Sequence, residues 1–263
     1  MSGDDEIWDC HLHAFPASVA NEGGVSGHAL RDYLSTVAKP LEINRLVLVQ
    51  PSRLATDHSV LFDALNAMEG RARGVAVLPQ DGKEFDPAEW HDRGVRGLRY
   101  APRLKQGGEL EQLIELAPVL REFDWHIQVY ADIEALPGIA KRLVRTGVPI
   151  VFDHFSRVDP GLSENHPSLR VVFDLLESGV AWIKFSAPYH FSEMDDGYRN
   201  MRGVARSFFD KNPEMILWGT DWPHPNVSAA VDERSLLRAL DVWGFNRIEK
   251  NKILTENPSR LYR

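Results

Sequence analysis

The chain has 263 residues, 43% hydrophobic and 26% charged, a balance that supplies an apolar core and excludes a disordered polymer. Its formal net charge of -8 argues against nucleic acid as the main partner, because such proteins usually present a basic face. A single cysteine, Cys10, excludes an internal disulfide and a thiolate metal cluster within one chain, so any metal must be held by His, Asp or Glu.

Short apolar, β-branched-rich runs recur at 7–14, 45–51, 74–79, 95–101, 126–131, 150–156, 181–187 and 215–221, and read as strands. Segments between them, at 29–37, 60–69, 110–123, 136–145, 169–177, 198–210 and 234–243, carry apolar residues three and four apart, as an amphipathic helix does. A shorter helix opens on Asp86, Pro87 and Glu89, with the spacing of an N-cap, a first-turn proline and a capping-box acid. Gly147 and Gly179 stand just past their helices, where a left-handed residue is often needed. Eight β-then-α units without a long linker predict one domain over 1–263, a closed (β/α)8 TIM barrel; an open doubly wound sheet is the structural alternative.

In such a barrel the chemistry belongs at the carboxyl ends of the strands. The first strand ends in Asp9-Cys10-His11-Leu12-His13, and a period of two puts His11 and His13 on one face. Two imidazoles one step apart can hold a divalent ion or a substrate oxygen. The sixth ends in Phe152-Asp153-His154-Phe155-Ser156-Arg157, offering a third imidazole and a guanidinium, with Asp153 expected on the opposite, helix-facing side. The eighth stops on Asp221 in Gly219-Thr220-Asp221-Trp222-Pro223-His224-Pro225, which sets a carboxylate at the mouth where it could take a proton from water; capping the following turn is the plainer alternative.

These elements, with the terminal Asn257-Pro258-Ser259-Arg260-Leu261-Tyr262, resemble the amidohydrolase-2 group of the amidohydrolase superfamily. They follow in the right order across the whole chain and are most similar to the lactonase branch that holds the pyrone dicarboxylate and sulfomuconolactone hydrolases. The resemblance implies that His11, His13, His154 and Asp221 surround the reacting carbonyl, and that Arg99, Arg103, Tyr130 and Arg157 hold the substrate. His190 and His224, in loops at the same mouth, are further candidates for substrate contact. The alternative for Arg99 is a pair with an interior Asp or Glu.

The expected reaction is opening of an acidic pyrone- or muconolactone-like ester by water that Asp221 activates, with the histidines answering charge on the carbonyl. Binuclear members of the superfamily bring a fourth-strand Lys or Glu and a fifth-strand His, where this chain has Arg99 and Tyr130. The expectation is therefore no cofactor, or else one divalent ion (zinc or manganese) on His11, His13 and Asp221. Rival readings are a metal-dependent decarboxylase of an aromatic or enoic acid and a non-catalytic acid-binding barrel. No apolar run approaches the ~20 residues of a membrane span, and the acidic residues 1–6 lack the parts of a secretory leader, so a cytoplasmic protein without a membrane partner is expected.

Overall fold

A computed structural model describes residues 6–16, 30–79, 85–105, 107–192, 196–225, 227 and 229–263. The expected strands form as β1 (Ile7–Leu12), β2 (Ile43–Val49), β3 (Ala72–Ala76), β4 (Val95–Tyr100), β5 (His126–Val129), β6 (Ile150–Phe152), β7 (Ala181–Phe185) and β8 (Ile216–Trp218). They lie in sequence order in one sheet, each parallel to the next. Backbone bonds from Asp221 N to His11 O (2.7 Å) and from His13 N to Trp222 O (2.8 Å) close the sheet into a barrel, the TIM architecture. Each strand ends before the limit that the sequence suggests. The apolar pattern continues past the last ladder bond, but the backbone there turns into the loops of the mouth.

Alternation along the strands sorts the core. Trp8, Cys10, Val47, Val49, Val75, Val151, Trp182 and Leu217 fill the barrel, and Tyr262 from the chain's last turn stacks on Trp8 at 6.0 Å to plug the amino-terminal end. The opposite faces, with Leu46, Leu48, Leu98, Ile127, Phe152 and Ile183, bury against helices. Asp86 caps its helix by accepting from Ala88 N and Glu89 N, while Glu89 turns to Arg93 at 2.8 Å rather than closing a capping box. The expected helix 110–123 divides into Leu110–Glu115 and Ala117–Glu122, because Pro118 has no N–H to return to the preceding turn. Gly147 (φ 68°) and Gly179 (φ 73°) take the left-handed positions assigned to them. Ala29, the first residue of the first expected helix, lies outside the described residues. No helix among the described residues is long and apolar enough to cross a membrane.

Two local departures from ideal strands aim the site. In β1, Asp9 pairs with Leu46 and Leu12 with Leu48, so three steps on one strand face two on the other. That bulge lets Cys10 line the barrel below while His11 and His13 both turn inward above it. After β6, four successive residues, His154, Phe155, Ser156 and Arg157, have φ between 49° and 55°. Left-handed backbone costs about 1–2 kcal/mol per non-glycine residue, so the surrounding packing must hold this run in place.

Candidate active site

The center of the mouth is Asp221, 2% exposed. Its Oδ1 faces three imidazoles: His13 Nε2 at 3.3 Å, His11 Nε2 at 3.5 Å and His154 Nε2 at 3.9 Å. Its Oδ2 accepts a hydrogen bond from Tyr189 OH at 2.7 Å. Burial alone would raise its pKa, but the imidazoles of His154, His13 and His11 outweigh burial and hold it below the usual carboxylate range. Gly219 makes the close approach feasible, since a Cβ there would sit 2.6 Å from His11 N.

Ring partners fix how the imidazoles are presented. The carbonyl of Val49 can only accept, so its 2.8 Å bond places a proton on His13 Nδ1. Asp153 Oδ1 lies 3.3 Å from His11 Nδ1 and places a proton there as well. In the neutral rings both Nε2 lone pairs then point toward Asp221 Oδ1, which forms no hydrogen bond among the described residues. Converging acceptors of this kind call for a cation between them, either a shared proton or a metal ion. His11, His154 and Asp221 have ligand atoms within 4.8 Å of one another, a donor set that fits one divalent ion. His13, which the sequence names in that set, has its Nε2 3.3 Å from the same Asp221 oxygen, and the fold adds His154. Desolvation lowers the pKa of His11 well below its ordinary value and that of His154 to about 4, so both rings are neutral near pH 7.

Asp153 corrects an expectation. It does not face the helices but lies within the barrel, because it is still extended and in step with the inward Val151, while the left-handed run that follows turns His154 to the same mouth. Asp153 Oδ2 accepts from Arg99 Nη2 (3.1 Å), Arg99 Nε (3.3 Å) and Gln128 Nε2 (3.2 Å). Gln128 Oε1 in turn accepts from Lys184 Nζ at 2.6 Å. Burial would raise the pKa of Asp153, yet its neighbors His11, Arg99 and Lys184 hold it well below the usual range. Arg99, placed among the substrate ligands by the resemblance, thus has the interior carboxylate partner of the alternative reading. Arg99, Asp153, Gln128 and Lys184 form a dry polar floor beneath His11.

The rim carries the other sequence candidates. Arg103 Nη1 donates to both oxygens of Asp132 at 2.6 and 2.7 Å, and Arg157 Nε donates to Asp132 Oδ1 at 3.0 Å. Arg157 Nη1 also donates to Tyr130 OH at 3.1 Å, and the Tyr130 ring lies 5.3 Å from that of His154. The His190 ring stands 6.0 Å from His154 on the mouth wall. His224 lies one layer back, its Nε2 3.0 Å from Glu233 Oε1 and its Nδ1 3.3 Å from Tyr189 OH, so it braces Tyr189.

Sequence reasoning overlooked Asp9, Lys184, Tyr189, Ser186 and Asp132. Asp9 accepts from His11 N, Thr220 N, Thr220 Oγ1 and Tyr33 OH, and so clamps the ends of β1 and β8 together. Ser186 Oγ is 2.8 Å from His154 Nδ1. Alternation in Ala181-Trp182-Ile183-Lys184-Phe185-Ser186 offered a signal for Lys184 and Ser186, both in step with the inward Trp182.

Comparison with known proteins agrees with this fold. The chain is 30% identical over 268 residues to 4-sulfomuconolactone hydrolase of Rhizobium radiobacter, covering 97% of this chain and 89% of the relative. It is also 30% identical over 248 residues to 2-pyrone-4,6-dicarboxylate hydrolase of Comamonas testosteroni, covering 89% and 79%. A candidate 2-pyrone-4,6-dicarboxylic acid hydrolase of Pseudomonas putida superposes with a TM-score of 0.84 at 26% identity, covering 98% of this chain and 97% of the other. The Amidohydro_2 amidohydrolase model matches residues 8–263, and the chain belongs to that family.

Proposed function

We propose that the protein is a hydrolase that opens a lactone or related cyclic ester, with Asp221 accepting the proton of the attacking water. The observation that carries this reading is Asp221 Oδ1, desolvated, without a hydrogen bond among the described residues and ringed by three imidazole Nε2 atoms. A carboxylate so placed accepts a proton as water adds to the carbonyl and returns it to the leaving oxygen, so one group serves both halves of the reaction. The imidazoles stand where negative charge develops on the carbonyl oxygen and carry or share the proton that answers it. Tyr189 fixes the far oxygen of Asp221 and leaves Oδ1 directed at the substrate. The names of the two hydrolase relatives support a cyclic ester with an acidic substituent, which Arg103 and Arg157 at the rim would bind.

A divalent ion, if bound, would be held by His11, His154 and Asp221 and would supply Lewis acidity toward the carbonyl. We favor the metal-free form, in which a proton shared among Asp221 Oδ1 and the facing imidazole Nε2 atoms is the cation that these acceptors call for. Turnover is then expected to survive exhaustive chelation. Its loss on chelation, with restoration by stoichiometric zinc or manganese, would assign the ion instead.

The test of function is a panel of lactones assayed with a pH indicator. Ring opening releases a proton, decarboxylation releases carbon dioxide, and binding alone releases neither. Asp221→Asn should lower kcat by about 100- to 10,000-fold while substrate binding largely persists. A variant that keeps more than a third of the activity would remove Asp221 from the mechanism.

A further inference from the structure

Among the described residues, the rim on the Tyr130 side of the mouth holds two guanidinium groups and one carboxylate. Arg157 is the fixed member: it is 15% exposed, faces the Tyr130 ring at 5.4 Å and the Phe191 ring at 5.3 Å, and donates to Tyr130 OH. Arg103 and Asp132 are open to water, 41% and 48% exposed. Asp132 therefore engages one nitrogen of each arginine, Nη1 of Arg103 and Nε of Arg157, and competes there with a carboxylate of the ligand. Ion pairs as exposed as Arg103–Asp132 are weak and exchange partners readily. Tyr130, which accepts from Arg157, has its ring 5.3 Å from that of His154, which places the cluster beside whatever is bound over Asp221.

Resting on the lactonase reading above, we infer that Asp132 is a specificity-determining residue that sets the charge of the accepted substrate at one anionic group on this side of the ring. Two guanidiniums against one fixed carboxylate leave a single positive charge in the cluster. One carboxylate or sulfonate neutralises it. A second on the same side must displace Asp132 or lie against it, and like charges at hydrogen-bond distance repel. Arg99 offers little relief, since Asp153 answers it in the floor below. The protein is thereby tuned to a lactone with one anionic group on this side of the ring and discriminates against one with two neighboring carboxylates there.

The experiment compares wild type with Asp132→Asn on lactones of one ring skeleton bearing no, one or two carboxylates. The ratio of kcat/KM for the dianion to that for the monoanion should rise by about tenfold in Asp132→Asn, the scale of one charge-assisted hydrogen bond. Asp132→Glu should return the ratio toward the wild-type value. Asp132→Ser provides a second neutral variant should the amide disturb folding. A ratio that stays within about twofold of wild type, or falls, in both neutral variants overturns the inference. Calorimetric titration of wild type and Asp132→Asn with benzoate and isophthalate reads the same preference without turnover. If no lactone is opened but the isophthalate-to-benzoate affinity ratio still rises about tenfold, the lactonase reading fails and the role of Asp132 stands. If lactones are opened and neither ratio moves, the reverse holds. If no lactone is opened and neither ratio moves, both are lost.

Discussion

The floor and the rim of this mouth are built from the same chemistry, arginine against aspartate, under opposite solvation. In the floor, Arg99 and Asp153 are 3% and 0% exposed at the side chain, with Gln128 and Lys184 completing the network. At the rim, Asp132 is nearly half exposed between Arg103 and Arg157. A desolvated pair has no water to fall back on, so every member fixes the others; an exposed pair can give way to a ligand. The difference assigns the floor to orienting His11 and the rim to selecting what is bound.

The comparison breaks most severely at Asp153. Asp153→Ala leaves Arg99 and Lys184 buried without their anion and should cost about 3–5 kcal/mol of stability, read from urea unfolding. Asp153→Asn keeps the shape, and its effect should fall on kcat more than on KM, because His11 loses the anion that fixes its tautomer. A loss of stability under about 1 kcal/mol in the alanine variant would show that the floor is not a coupled unit.

Lys184 offers a milder perturbation. Burial depresses its pKa from 10.5 to about 8, against the attraction of Asp153. Between pH 8 and 10.5 the unfolded chain binds a proton at this lysine that the native protein has released. Stability contributed at this site therefore rises with pH through that window, after a constant penalty below it. The gap in unfolding free energy between wild type and Lys184→Met should shift in favor of wild type from pH 8 to 10. A gap independent of pH would place the native lysine pKa near its ordinary value.

The smallest effect on stability belongs to the rim. Arg157→Met should change stability by no more than about 1 kcal/mol, the range of a partly exposed pair, and yet raise KM for an acidic lactone about tenfold more than for its neutral analogue. Equal effects on both substrates would reduce Arg157 to scaffolding.

Local periodicity makes the repeating β-then-α units legible and sets His11 and His13 on one face, whereas their grouping with His154 and Asp221 rests on the resemblance of the motifs. Asp153 shows where alternation misleads: it is extended and in step with the inward Val151, and it is His154 that breaks the alternation, through a left-handed run that no β-branched pattern announces, so an expectation anchored on His154 as the inward residue puts Asp153 on the wrong face. Asp132 lies in the loop after β5, and its meaning depends on two arginines from different loops meeting there. Tyr189 lies in the loop after β7, and its bond to Asp221 spans 32 positions of sequence. Long-range polar pairing leaves no periodic trace.

The seam of the barrel and the reactive center are made of the same bonds: Asp221 N to His11 O, and the Asp9 clamp onto Thr220. A chain leaving the ribosome carries two of its histidines from the first thirteen residues onward, but has nothing to aim them until residues 216–222 have emerged and docked. Contacts between such distant segments form late, after the loop-closure entropy has been overcome. Reactivity should therefore switch on with the final closure of the ring rather than accumulate during synthesis, and a nascent chain would be chemically silent until it is whole.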